Sequence, residues 1–233
     1  MDSPTALSIE RDVVLVSGTD AGEYLQTQLT QDVLSLAVGE SAWSFLLRPR
    51  SEIIALLRIT RSGPAEYTLE TERGWGDTVR QTIDEFLGRM DVTFDQTTLG
   101  CADVSGSGEF EQTRIAAGWP RTGKDIDDQT TPAMTGLVAE TISFDKGCYT
   151  GQEFVARVHY RDAEPPKRLI RIAFDEDVQV REGAPIVVGG DEVGLITSAA
   201  RGVALGFLKR SVDTPATGTV AGVEVDLSAI ERE

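Results

Sequence analysis

The paired prolines Pro165-Pro166 divide this chain into two stretches with different folding patterns. Proline fixes φ and removes a backbone donor, and the residue before it is driven out of the helical region, so no element runs through the pair. Before it, extended and helical patterns alternate. Residues 12–16, 43–47, 52–60, 66–70 and 91–95 read as strands. The 52–60 segment is nearly continuous in apolar residues, which predicts a strand buried on both faces. Asp20 with Glu23 forms a capping-box pattern, opening a helix that carries Ala21, Leu25 and Leu29 on one face. Val79, Ile83, Phe86 and Leu87 mark a second helix that Gly88 can end. This order predicts an α+β region with helices packed on antiparallel sheet. After the prolines only strand patterns remain, at 169–175, 185–188, 192–198, 203–208 and 220–227, with a hairpin signal at Gly189-Gly190. Short strands at this density predict a small C-terminal β-barrel. The expected domains are 1–163 and 164–233.

Composition narrows the partners. The net charge is −16, from Lys+Arg 22 against Asp+Glu 38, a balance that repels nucleic acid and anionic membrane. Only Lys124, Lys146, Lys167 and Lys209 are lysines. No apolar run is long enough for a membrane helix, and the start Met1-Asp2-Ser3-Pro4 lacks a charged-then-apolar leader, so a cytoplasmic protein is expected. Cys101 and Cys148 with the single His159 are too few for a zinc site or an unaided cluster, so no metal site is expected. A lone histidine near a helix end reads as structural or solvated, and no Gly-x-Ser-x-Gly elbow accompanies it. Cys101, in the loop-like stretch 100–108, reads as incidental, and 123–131 as a mobile loop.

The chemistry concentrates at Lys146-Gly147-Cys148-Tyr149-Thr150-Gly151-Gln152-Glu153. Thr150 followed by Glu153 predicts a capped helix starting at Thr150, with Phe154 and Val158 on one face and Glu153 placed to pair with Arg157. Cys148 then lies just ahead of a helix N-terminus, where N–H groups and the dipole favour an anion and Lys146 adds positive charge. That placement suits a reactive thiolate. It suits a small buried residue in a tight connection about as well. Gly147 and Gly151 allow a sharp turn and close approach.

Lys-Gly-Cys-Tyr-x-Gly-Gln-Glu resembles the signature of the YgfZ-type folate-binding family, relatives of the glycine-cleavage aminomethyltransferase that act in assembling or maintaining iron–sulfur proteins. Residues 18–32 resemble that family's first helix, which runs toward a central cavity. This makes Gln28 and Thr30 site candidates, although the helical pattern alone reads Gln26, Gln28 and Thr30 as a solvated face. Arg114-Ile-Ala-Ala-Gly-Trp-Pro resembles the family's Arg-x-x-x-Gly-x-Pro segment and adds Arg114 and Trp119. The resemblance implies a tetrahydrofolate-type cofactor in a cavity between the α+β region and the barrel. It implies a flat pterin near Trp119, a glutamate tail at Arg157 or Arg114, and Cys148 as the functional thiol, stabilised by Lys146. Tyr149, Gln152 and Glu153 would shape the turn. The implied partners are reduced folate and iron–sulfur client or assembly proteins. Two departures stand out. Ala55 and Leu56 occupy the strand positions where aminomethyltransferases carry an Asp-Asp pair, and Ala116 replaces their pterin-binding glutamate. Both argue against a classical aminomethyl transfer enzyme. A folate-dependent one-carbon transferase and an interaction module with a vestigial folate cavity are the alternatives.

Overall fold

A computed structural model describes residues 11–99, 107–161 and 163–230. The chain start at Met1–Pro4 and Cys101 lie outside these residues.

The first layer is an antiparallel sheet in the order β2-β3-β4-β1-β5. Its strands are β1 (Arg11–Ser17), β2 (Ser41–Leu47), β3 (Ile53–Gly63), β4 (Glu66–Glu72) and β5 (Thr93–Leu99). β3 is buried on both sides, as its apolar run demands. Leu57 and Ile59 pack with the helices α1 (Ala21–Gln28) and α2 (Gly76–Asp84). Ile53 and Leu56 pack on the opposite face with Phe45, Trp119, Ile142 and Tyr149. Each such fully buried aliphatic side chain stabilises the fold by roughly 1.5–3 kcal/mol. Tyr24 of α1 donates to the Ile83 carbonyl and so ties the two helices together.

The capping box at α1 does not form. Asp20 makes no side-chain bond to the helix. Its Oδ2 accepts from the Asp91 backbone N–H at 2.8 Å instead, while the Asp91 carboxylate accepts from Thr19 Oγ1 at 2.8 Å. These cross-links fasten the start of α1 to the segment entering β5, which local pattern alone does not reveal.

The second body is a closed antiparallel barrel in the order β10-β11-β6-β9-β8-β7. It comprises β6 (Lys167–Ala173), β7 (Pro185–Val188), β8 (Asp191–Ala200), β9 (Val203–Lys209), β10 (Ala216–Val220) and β11 (Val223–Ala229). Closure comes from β10 pairing with β7. The Gly189-Gly190 turn joins β7 to β8 with positive φ at both residues. The single strand expected over 220–227 is instead the turn and return of a hairpin. Ala221 (φ 51°) and Gly222 (φ 83°) both adopt the left-handed conformation that a tight hairpin turn needs, and the chain reverses there. Alanine does not advertise such a turn, so local pattern does not separate β10 from β11.

Helix α3 (Ser107–Ala116) and the short α4 (Pro132–Thr135) join the bodies, with Ile115 and Met134 packed on Leu169, Val203, Leu205 and Phe207 of the barrel. The stretch read as a mobile loop is folded. Thr122 bridges to Ile126, Ile126 and Asp125 are buried, and Asp127 with Thr130 closes a turn through a 2.5 Å side-chain bond.

Candidate functional site

The cysteine motif is held from beneath by α1. The short helix α5 (Val138–Thr141) hands the chain to Ile142–Ser143, whose Ser143 N–H donates to the Thr30 carbonyl at 3.0 Å. Thr30 Oγ1 donates to the Thr141 carbonyl at 2.7 Å and accepts from the Phe45 N–H at 2.9 Å. Gln26 bonds Asp32 and the Val33 N–H, fixing the linker after α1. The solvated-face reading of these residues is therefore corrected. Gln28 and Thr30 are buried, and Thr30 is a polar clasp between α1, β2 and the motif. Gln28 donates to Thr27 Oγ1 at 2.9 Å.

Lys146 is the clamp. Its buried Nζ donates to the carbonyls of Gln26, Leu29 and Gln31 at 2.6, 2.6 and 2.8 Å, in the last turn of α1 and the segment just after it. Every N–H of the ammonium is thereby spent. The expectation that Lys146 stabilises the Cys148 thiolate directly is corrected: its donors point into a carbonyl cage. The Nζ also lies 5.2 Å from the Tyr149 ring centroid. Burial pushes the ammonium down to about 8, against the upward pull of Asp32.

The helix α6 (Gln152–Tyr160) begins at Gln152 rather than Thr150, with Gly151 at its N-cap in the left-handed conformation (φ 84°) and no side-chain cap bond. The Thr150–Glu153 capping box is corrected accordingly. The Thr150 N–H is drawn away to the Thr27 carbonyl, and Glu153 turns outward to pair with Arg157 at 2.6 Å. A Cβ on Gly151 would lie 2.7 Å from the Arg48 carbonyl, so only glycine lets the motif rest on the β2–β3 turn. Cys148 is exposed and in no disulfide, on an exposed step with Gly147.

Tyr149 points inward. Its hydroxyl is buried without a hydrogen-bond partner among the described residues, and burial together with Tyr160 pushes its pKa up to about 12. Tyr149 packs with Val138, Phe144 and Val155, which, with Phe154, Val158 and His159 among others, line a half-open groove of about 310 Å³. His159 stacks on Phe144 with ring centroids 3.8 Å apart and planes 16° from parallel. Arg157 covers the Phe154 ring at 5.1 Å. The stacked pair and the groove were not legible from the chain, because Phe144 and His159 lie on opposite sides of the motif and meet only when α6 folds back.

Neither Arg114 nor Trp119 lines this groove. Arg114 is buried and donates to Glu111, Asp125, the Trp119 carbonyl and Ser198, so its guanidinium has no N–H left for a ligand carboxylate. Its expected role at a glutamate tail is corrected to a structural one, joining α3 to β8. Trp119 packs with Trp43 at 4.8 Å in the sheet-face core. Ala55 and Leu56 are likewise buried. Among the described residues no group of three or more His, Cys, Asp or Glu side chains is placed to hold a metal.

The whole fold matches the glycine cleavage aminomethyltransferase T from Bartonella henselae with a TM-score of 0.75, covering 95% of this chain and 83% of that one at 16% identity. In sequence, the tRNA-modifying protein YgfZ of Serratia proteamaculans is 43% identical over 110 residues, covering 43% of this chain and 32% of that protein. The chain has the aminomethyltransferase fold, and part of its length is similar in sequence to YgfZ proteins. A more extended similarity at lower identity, 27% over 210 residues, covers 75% of the chain and 73% of an uncharacterized protein from Haemophilus influenzae. The aminomethyltransferase of Halothermothrix orenii is 28% identical over 117 residues, and the match covers 32% of its length. No protein-family profile matches the chain.

Proposed function

We propose that the chain binds a reduced folate and supports the assembly or repair of iron–sulfur proteins through Cys148, in the cytoplasm. The observation that carries this reading is the exposed, free Cys148 presented by a rigidly clamped turn on an aminomethyltransferase fold. By the resemblance, the buried Ala55 and Leu56 stand where aminomethyltransferases carry their Asp pair, and Ala116 where they carry a pterin-binding glutamate. In this reading the scaffold is kept without the carboxylate that would serve as acid or base.

The residues present fit a flat, polar-edged ring. The groove offers Phe144, Phe154 and His159 as walls, and Tyr149, packed behind Val138, Phe144 and Val155 of its lining, holds a buried hydroxyl without a partner among the described residues. Arg157, over the Phe154 ring of the groove wall and 46% exposed, would meet the carboxylates of a glutamate tail by exchanging Glu153 for them. A bound reduced folate supplies one-carbon carrying chemistry. The chain's own part is to bind and orient it beside Cys148, the thiol that meets the iron–sulfur client. Gln152 and Glu153 shape the helix start in this reading, and Lys146 acts as the clamp. The YgfZ relatives are named for tRNA modification. A surface of net charge −16 disfavours direct contact with RNA, so we place nucleic acid outside the direct partners.

Anaerobic calorimetric titration of tetrahydrofolate tests the reading. Micromolar or tighter binding, weakened by Tyr149→Phe and by Arg157→Ala, is expected. Absent binding with Cys148→Ala still abolishing function in cells would favour the interaction module, and turnover of a methylene donor lost in Cys148→Ala would favour a transferase.

A further inference from the structure

We propose that Lys167 and Lys209, on the wall of a cavity of about 350 Å³ at the barrel surface, bind a small organic carboxylate with an apolar body. The site is separate from the cysteine motif and does not depend on the folate reading. The chain has four lysines, and Lys124, Lys167 and Lys209 all line this cavity.

Lys167 and Lys209 are direct partners in the β6–β9 register, so their side chains leave the same face side by side. Like charges directly opposite each other on a strand pair destabilise the sheet. The structure does little to relieve this. Lys167 Nζ stands 3.9 Å from Asp127 Oδ2, and Lys209 Nζ donates to the Glu192 backbone carbonyl at 2.9 Å. Among the described residues Lys209 has no carboxylate at ion-pair distance. In a chain with 38 acids against 22 basic residues, Asp127 is the one carboxylate at ion-pair distance from either lysine among the described residues, and it reaches only Lys167, at 3.9 Å. A bound anion between the ammoniums removes the repulsion.

The remaining groups select the anion. Lys124 is committed to Glu182 at 2.7 Å, and the Thr197 hydroxyl to Asp125 at 2.5 Å, so the two facing lysines carry the available charge. Asp127 and Glu192 line the same cavity and repel multiply charged species such as polyphosphates. Val193, Leu195 and Phe207 form an apolar wall; Leu195 is 54% exposed, and the Phe207 ring lies 4.6 Å from Lys167 Nζ. A charged head at the lysines with an apolar body on Leu195 satisfies both halves of the cavity.

The test is a titration of the full, 15N-labelled chain with benzoate, acetate and inorganic phosphate, read by amide shifts. Benzoate is expected to shift signals of β6, β8 and β9 saturably, and to bind about tenfold more tightly than acetate, the equivalent of about 1.4 kcal/mol from the apolar body. In the Lys167→Gln/Lys209→Gln double variant benzoate binding falls by about tenfold or more, while the ligand-free melting midpoint is unchanged or higher. The proposal is overturned if benzoate causes no saturable shifts or if the double variant binds it as well. Phosphate matching benzoate would show only an unspecific charge patch. A double variant that melts several degrees lower without ligand would mean that the lysines serve the fold.

Discussion

At the scale of single residues, the polar groups that fix this molecule are buried ones whose neighbours lie far along the chain. Arg114 and Asp125 form an ion pair with side chains 3% and 0% exposed. Removing one partner leaves the other charged and unpaired in the interior, so Arg114→Met should cost about 3–5 kcal/mol in urea unfolding. Arg114→Lys should rescue little, because one ammonium cannot replace a fork that reaches Glu111, Asp125 and Ser198 together. Tyr149→Phe gives the opposite result. The hydroxyl is buried without a partner, so its loss should be neutral or mildly stabilising in the free protein. Lys146 adds a pH signature. Its folded value of about 8 lies below the ordinary 10.5, so between these two the unfolded chain binds the extra proton. The burial penalty on the charged form is therefore present below about pH 8 and relieved as pH rises toward 10.5. The stability of the wild type relative to Lys146→Met should climb across that window, as measured by urea melts at pH 7, 9 and 10.

At the scale of elements, two turns carry unusual backbone demands. Gly151 combines φ 84° with an Arg48 carbonyl 2.7 Å from where a Cβ would sit. Gly151→Ala should cost at least about 1–2 kcal/mol from the left-handed conformation alone, and more from the contact. It should also detach the cysteine turn from the β2–β3 turn, read as faster proteolysis near Cys148. Ala221 shows the reverse case. It holds φ 51° without glycine's freedom, and Ala221→Asn should raise stability by about 0.5–1 kcal/mol, since asparagine tolerates that conformation.

At the scale of the whole molecule, one ionic cluster spans the joint between sheet and barrel. Glu72 of β4 meets Arg121, Arg121 meets Glu111 of α3, and Glu111 with Arg114 leads to Asp125 and Ser198 of β8. Burial pushes the Glu111 carboxyl up, but the Arg114 hydrogen bond and the charges of Arg114, Arg121 and Lys124 outweigh it and hold it down at about 2. A carboxylate depressed in the folded state contributes stability above its ordinary value of 4.5 and loses it as pH falls through the range to about 2. Acid should therefore loosen the sheet–barrel joint, and Glu111→Gln should flatten the fall in stability between pH 5 and pH 2.5, as followed by urea midpoints.

Local pattern carried much of the architecture. The buried β3, the succession of strands and helices in an α+β region, the Gly189-Gly190 hairpin and the barrel after Pro165-Pro166 all follow from periodicity and backbone restriction, which act between near neighbours. The cysteine motif was equally visible as a string of residue types. What that string does was decided only in three dimensions. Lys146 looked like a partner for the adjacent Cys148 and is the cap of a helix that ends before Gln31. Arg114 looked like a ligand anchor and closes a buried network, and Thr150 gave up its helix-capping position for Thr27. A hydrogen-bonding group takes the best acceptor that the packed chain brings to it, and the sequence spells out the donors without saying which distant carbonyls and carboxylates will stand in front of them.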